Sequence, residues 1–318
     1  MTGEREVDVV VVSWNTREEL LRCLASVEGS TSVRPRVAVV DNASTDGSAD
    51  AVRASFPDAE LVENAANEGF ARAVNRGLRC GSASYVLLLN PDAELPPGAV
   101  AALARRLDTL PRHAVVAPRL VWDGGAAQHS AYGFPSIPVS VLLATGLAPA
   151  VPRRVRARLL LEGAWGSDRE RDVPWVIGAA MLVRRAALDE VGALDERFFV
   201  YAEDMELCDR LGRAGWLVRF TPDVTVLHRG NRSGAQRYGE DRTAVHLASA
   251  TAWLRRRHGR AWTSAWLAVN AAGTVPRWAA SAALARSRPT PPRLARAAMW
   301  RAHARFYLGT ARNPDRGP

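Results

Sequence analysis

The chain has 318 residues, 47% hydrophobic and 24% charged, which supports a full globular core and excludes a disordered or collagen-like polymer. Its formal charge of +9 carries no lysine and is uneven: from Ala244 onward 13 Arg stand against one acid, Asp315. Cys23, Cys80 and Cys208 form no C-x-x-C, the start Met-Thr-Gly-Glu-Arg-Glu is no signal peptide, and no 18-residue apolar run is free of charge; the expectation is a cytoplasmic protein with buried thiols and no spanning helix.

In chain order, Val7 to Val12 reads as a strand and Ser13-Trp14-Asn15 as its loop. Thr16 and Glu19 have capping-box spacing, which predicts a helix to about Val27. Arg36 to Val40 is a second strand, and the cluster Asp41 to Gly47 leads into a helix over about Ser48 to Ser55. Ala59 to Val62 predicts a short strand, and Asn67-Glu68-Gly69-Phe70 turns into a helix to about Arg79. Tyr85-Val-Leu-Leu-Leu-Asn90 is an unbroken apolar strand that Pro91 terminates, followed by a helix from Gly98 to Leu107. This alternation implies a parallel sheet with right-handed crossovers. Beyond Val116 the pattern loosens, and the Arg-rich stretch Val151 to Arg171 predicts mobility. Trp175 to Val183 reads as one apolar strand, Ala186 to Val191 as a helix stopped by Gly192, and Thr225 to His228 as a strand end. Met205, Cys208 and Leu211 share a helix face, so Glu203, Asp204 and Glu206 fall in that helix's first turn.

The sequence holds no G-x-G-x-x-G, no P-loop and no G-x-S-x-G, so dinucleotide, P-loop and hydrolase readings lack their signatures. What remains is a series of polar residues at successive strand ends: Ser13 and Asn15, Asp41 and Asn42, Asn67 and Gly69, Asn90 and Asp92. Parallel strands bring such loops to one rim, where open α/β sheets bind ligands. A carboxylate at Asp92 suits a hard cation such as Mg²⁺ or Mn²⁺ shared with a diphosphate. Each residue also has a plainer reading: a helix cap for Asp92, an Asx-turn for Asp41, dipole complementarity for the Glu203 to Glu206 acids, a structural hydrogen bond for His228.

Six segments in order resemble the family 2 glycosyltransferases, inverting enzymes of the GT-A fold. They are Val-Val-Ser-Trp-Asn, Val-Asp-Asn-Ala-Ser-Thr-Asp-Gly-Ser, Asn-Glu-Gly-Phe-Ala-Arg-Ala-Val-Asn, Leu-Leu-Asn-Pro-Asp-Ala-Glu, Tyr-Ala-Glu-Asp-Met-Glu-Leu-Cys-Asp-Arg and the late His228, spanning Val7 to Gly234. Within the family, Asn-Pro-Asp and Leu-Asp-Glu-Arg-Phe-Phe-Val-Tyr-Ala-Glu-Asp are most similar to actinobacterial rhamnosyltransferases acting on polyprenyl-diphospho-N-acetylglucosamine. The resemblance implies an α/β GT-A nucleotide-diphospho-sugar transferase with a mostly parallel central sheet flanked by helices. It implies a catalytic domain over 1–243, with a nucleotide-sugar half to about 120 and an acceptor half over 121–243, then a helical extension over 244–318.

The resemblance also assigns roles. Asp41 meets the donor's base or ribose, with Ser13, Asn15 and Asn42 nearby, and Asn67 and Gly69 help form the nucleotide site. Asp92 matches the last carboxylate of the family's D-x-D metal motif, while Asn90 replaces its first Asp and gives His228 more weight as a metal or diphosphate ligand. Asp204 matches the catalytic base, and Arg229, Asn231 and Ser233 stand on a loop beside the diphosphate. The implied reaction moves L-rhamnose from dTDP-L-rhamnose to a hydroxyl of a lipid-linked saccharide, with Mg²⁺ or Mn²⁺. UDP-galactofuranose, UDP-GlcNAc or GDP-mannose as donor, and a catalytically weak nucleotide-sugar-binding protein, stay open as alternatives. The tail carries Trp253, Trp262, Trp266, Trp278 and Trp300 among its arginines, which reads as peripheral contact with the inner face of the plasma membrane. A helical subdomain packed on the core is the other reading of the tail. No nucleic-acid module accompanies the charge, and a homodimer through the tail is left open.

Overall fold

The computed structural model describes residues 6–29, 34–152, 154–156, 168–230 and 232–312. Asn231 and most of the stretch read as mobile lie outside the described residues, as does the side chain of Ser233. In chain order the elements are β1 (Glu6–Ser13), α1 (Arg17–Glu28), β2 (Arg34–Asp41), α2 (Ser48–Ser55), β3 (Glu60–Glu63), α3 (Phe70–Leu78), β4 (Tyr85–Leu89), β5 (Ala93–Glu94), α4 (Ala99–Asp108), β6 (His113–Val121), β7 (Ala127–Gln128), β8 (Ala131–Tyr132) and α5 (Ile137–Thr145). There follow β9 (Arg171–Asp172), β10 (Trp175–Val176), β11 (Ala180–Arg184), α6 (Arg185–Val191), α7 (Glu203–Arg213), β12 (Leu217–His228), α8 (Arg232–Tyr238), α9 (Arg242–His258), α10 (Arg260–Ser287) and α11 (Pro291–Arg312).

The chain divides into two compact units, Met1–Gly133 with Trp165–Arg237, and Phe134–Ala164 with Tyr238–Pro318. In the first, the sheet runs β3-β2-β1-β4-β11-β6-β12-β5. Strands β3, β2, β1 and β4 are parallel, as the βα alternation predicts. All five residues of β4 are buried, which matches its unbroken apolar run. Helix α3 presses so closely on β1 that a Cβ at Gly77 would lie 2.5 Å from Val10 Cγ1.

Beyond β4 the sheet becomes mixed. β11 is antiparallel to both β4 and β6, and β12 is parallel to β6. The apolar run Trp175 to Val183 is therefore two strands: β10 pairs with β8 in a separate ribbon, the chain turns through Ile177 to Ala179, and β11 enters the main sheet. Hydropathy does not register the turn because its residues are apolar too. The capping box does not form either. Thr16 Oγ1 meets Ser13 Oγ at 3.0 Å and makes no cap hydrogen bond. On α7, Arg210 binds Glu206 and the carbonyls of Val191, Gly192 and Ala193, while Asp209 is buried beside Arg213. The three cysteines are free, and burial raises Cys80 to about 11 and Cys208 to about 12.

The second unit joins α9, α10 and α11 to α5, a helix from the middle of the sequence. Among the described residues no helix is long and apolar enough to cross a membrane.

Candidate active site

The carboxyl ends of β1 and β2 are stitched together by their own polar residues. Asn42 N donates to Ser13 O (2.8 Å), and Asn15 N donates to Ser44 Oγ (2.9 Å) while its Oδ1 accepts from Thr45 N (2.7 Å). Asn15 takes φ 51°, a backbone state asparagine tolerates better than most side chains. Asn42 is buried and fully occupied: it donates to Asn67 Oδ1 (3.0 Å) and Gly69 O (3.2 Å), and accepts from Asn64 Nδ2 (2.8 Å) and Glu68 N (3.1 Å). Asn67 Oδ1 also accepts from Gly69 N (3.1 Å). Ser13, Asn15, Asn42 and Asn67 thus shape the rim with their own hydrogen bonds. Asp41 differs. Its Oδ2 accepts from Ser44 N (2.9 Å) in an Asx-turn, but its buried Oδ1 has no hydrogen-bond partner. A buried carboxylate oxygen left unpaired is costly unless a ligand's hydroxyl or N–H completes it.

Gly69 has φ 89°, and a Cβ there would lie 2.5 Å from Phe199 O, the atom that accepts from Phe70 N (2.6 Å). This glycine lets the loop before α7 close over the third strand's tip. On that loop Phe199 faces Arg237 of α8, whose guanidinium carbon lies 4.7 Å from the Phe199 ring centroid and 5.4 Å from that of Trp14.

At the tip of β4, β5 pairs antiparallel with the end of β12, setting Ala93 opposite His228. Asp92 Oδ1 lies 3.3 Å from His228 Nε2, both residues are buried, and Asn90 Nδ2 donates to the same nitrogen (3.3 Å). On the far side of the ring, Nδ1 donates to Gln128 Oε1 (2.8 Å). This bond holds the proton on Nδ1 and aims the Nε2 lone pair at Asp92, the orientation a metal-binding imidazole needs. Among the described residues no third His, Cys, Asp or Glu joins this pair, so a cation here would find at most two ligands of these types in Asp92 and His228. An oxygen and an aromatic nitrogen suit a small divalent cation. Glu94 is turned away, paired with Arg22 and Arg229.

Asp204 stands half-buried in the first turn of α7. Its Oδ2 accepts from Gly178 N (3.0 Å) and its Oδ1 from Met205 N (2.7 Å). The neighbouring Ala179 O accepts from Asn90 N (2.9 Å). The apolar turn between β10 and β11 therefore ties Asp204 and the Asn90–Asp92 tip to adjacent residues, because β11 starts opposite the end of β4 (Ala180 against Leu89). Burial raises the Asp204 carboxyl above the usual aspartate range despite the two amides. Glu203 is raised further, by burial and then by the charge of Asp204, and its Oε2 has no hydrogen-bond partner. Asp195 pairs with Arg197 and Glu196 with Arg72 and Asn75, so both serve loop structure. Sequence reasoning missed Gln128, Gly178, Asn64 and Arg237. Asn64 stood in view just ahead of the polar cluster, but no spacing or motif pointed to the others.

A four-stranded parallel half with polar tips, continued by a mixed half that brings an acid-led helix to the same edge, is the architecture of the GT-A glycosyltransferases. Comparison with known proteins agrees. The model of glycosyl transferase family 2 matches residues 8–145, and that of glycosyl transferase family group 2 matches residues 157–301. The chain is 35% identical over 269 residues to N-acetylglucosaminyl-diphospho-decaprenol L-rhamnosyltransferase of Mycobacterium tuberculosis, covering 80% of this chain and 85% of that protein. It is 23% identical over 230 residues to the low-salt glycan biosynthesis hexosyltransferase Agl10 of Haloferax volcanii, covering 70% of this chain and 67% of that protein. A mannosyltransferase from Pyrobaculum calidifontis, solved with GDP-Man and Mn²⁺, shares the fold with TM-score 0.62 at 21% identity, over 99% of this chain and 89% of that one. The chain belongs to glycosyltransferase family 2 and is an inverting glycosyltransferase.

Proposed function

We propose that this enzyme transfers L-rhamnose from dTDP-L-rhamnose to a hydroxyl of a lipid-linked saccharide in cell-wall or polysaccharide assembly. The observation that carries the reading is the common anchoring of Asp204 and the Asn90–Asp92 tip on Gly178 and Ala179. The 35% identity to a rhamnosyltransferase supports the choice of sugar and of acceptor class. Asp204 takes the proton from the acceptor hydroxyl as oxygen attacks the anomeric carbon, and a single displacement inverts configuration. A carboxyl raised by burial is a stronger base than a solvated one and suits that task. Asp41 offers its unpaired Oδ1 to the donor's ribose or base. Asp92 and His228 would hold a divalent cation, Mg²⁺ or Mn²⁺, which would supply positive charge to stabilise the departing nucleoside diphosphate. The enzyme works in the cytoplasm, and its basic C-terminal helices contact the inner face of the membrane.

Two measurements test this. A thermal-shift panel of nucleotide sugars should show the largest stabilisation with dTDP-L-rhamnose; a larger shift with UDP-galactofuranose, UDP-GlcNAc or GDP-mannose would reassign the donor. Asp204→Asn should abolish transfer while leaving that donor shift intact, and a fully active variant would refute the assigned base.

A further inference from the structure

Helix α5 is packed inside out. Its sequence, Ile-Pro-Val-Ser-Val-Leu-Leu-Ala-Thr, carries no charge, yet its one buried residue is Ser140, whose Oγ accepts from Asn270 Nδ2 of α10 (3.1 Å). Next to it, a Cβ at Gly273 would lie 2.6 Å from the Cβ of Ala144, so the two backbones approach through small residues. Arg277 of α10 donates to Leu143 O (2.6 Å) and fixes the helix end. Large apolar side chains of the helix stay open instead: Val141 is 43% exposed and Leu143 48%, Ile137, Val139 and Leu142 are half-buried, and just beyond the helix Leu147 is 58% and Val155 45% exposed. A helix on a water-facing surface shows the reverse arrangement. Small residues and a buried polar pair between helices, with leucine outward, is how helices pack where the surroundings are apolar.

The surroundings of α5 identify that apolar phase. No acid occurs from Gly124 to Leu161, whereas Arg153, Arg154, Arg156 and Arg158 follow the helix. The unit that holds α5 has eighteen arginines against four acids, so the rest of the protein is net acidic. Among the described residues, eight of the ten large apolar side chains left exposed belong to this unit. Exposed apolar side chains bordered by arginine match an anionic bilayer surface, whose phosphates meet the guanidinium groups while its acyl boundary accepts leucine. We propose that α5, with Leu147 and Val155, is an interfacial helix that seats its outer face in the headgroup region of an anionic membrane. The inference rests on the reading of the basic unit as membrane-facing, and adds the element that enters the lipid.

The test is flotation of the full-length protein with phosphatidylcholine vesicles, with and without phosphatidylglycerol. The wild type should float with the anionic vesicles and far less with neutral ones. The double variant Leu143→Glu, Leu147→Glu should bind them about tenfold less or worse, since two leucines leave the apolar phase. If that variant does not fold, Leu143→Ser, Leu147→Ser with a wild-type melting temperature takes its place. A polarity-sensitive fluorophore on Leu147→Cys, in a Cys80→Ser background, should shift to the blue on adding anionic vesicles. A wild type that fails to float overturns the membrane reading altogether. Equal binding by wild type and variants, or an unshifted fluorophore, overturns the role of α5 alone. A wild-type dimer that the double variant dissolves, or flotation only when a polyprenyl diphosphate is present, would assign the face to a second copy or to the acceptor's tail. Sugar transfer to a water-soluble acceptor, measured on the same preparations, reads the catalytic assignment separately.

Discussion

Glu203 and Asp204 are consecutive carboxyls with different surroundings. Asp204 accepts from the backbone amides of Gly178 and Met205, whereas Glu203 has only its own backbone amide against burial and one oxygen with no partner. Its pKa stands well above the ordinary 4.5 in the folded chain. Below 4.5 the folded and unfolded states both keep the proton and Glu203 contributes nothing to pH dependence. As pH rises from 4.5 through the raised value, the unfolded state gives up its proton first, and the folded state loses stability. Glu203→Gln should therefore raise the melting temperature at neutral pH, and the gain should vanish near pH 4; an equal gain at both would show that Glu203 does not titrate upward. On the opposite side of the site, Gln128 holds the His228 ring from behind. Gln128→Leu frees the tautomer and should weaken Mn²⁺ binding by about 10- to 100-fold with little change in fold, measured by metal titration of the purified protein.

At the scale of elements, the site depends on loops that close on one another. Gly69 adopts φ 89° and ψ 168°, a region open essentially to glycine, directly beneath Phe199 O. Gly69→Ala should cost about 2 kcal/mol or more, and should lower donor affinity because the Phe199 loop must retreat; a urea midpoint and a donor titration check the two effects. The first four strands and three intervening helices were legible because β1, β2 and β4 carry apolar runs ended by polar residues, and β3 carries the short pair Leu61-Val62 between two glutamates. The helix around Met205 was legible from its period. The turn between β10 and β11 was not, because Ile177 and Ala179 are as apolar as the strands beside them. Asn42 reads in sequence like a ligand-facing amide, and only its four hydrogen bonds reveal a residue that holds the Asn64 to Gly69 loop.

Across the whole molecule, charge and connectivity divide differently. The arginine excess marks the tail in sequence, but the unit it belongs to also recruits residues 134–164 from the middle of the chain. A chain ended after Arg237 would keep α5 and lose α10, stripping Ser140 and Ala144 of Asn270 and Gly273. Such a protein should aggregate on size-exclusion chromatography rather than elute as a monomer, since the apolar helix has no partner left. A soluble, folded fragment would show that the first unit tolerates the exposed helix.

The sequence by itself determined the parallel half of the sheet, the polar tips of its strands and the presence of an acid at the start of α7, because each is encoded in contiguous residues. Tertiary structure decided which of those polar groups are satisfied and which are left over. It set His228 against Asp92 through the pairing of β5 with β12, oriented that ring through Gln128, and joined α5 to helices more than a hundred residues later. Those outcomes depend on contacts between distant segments, and no local period or motif carries them.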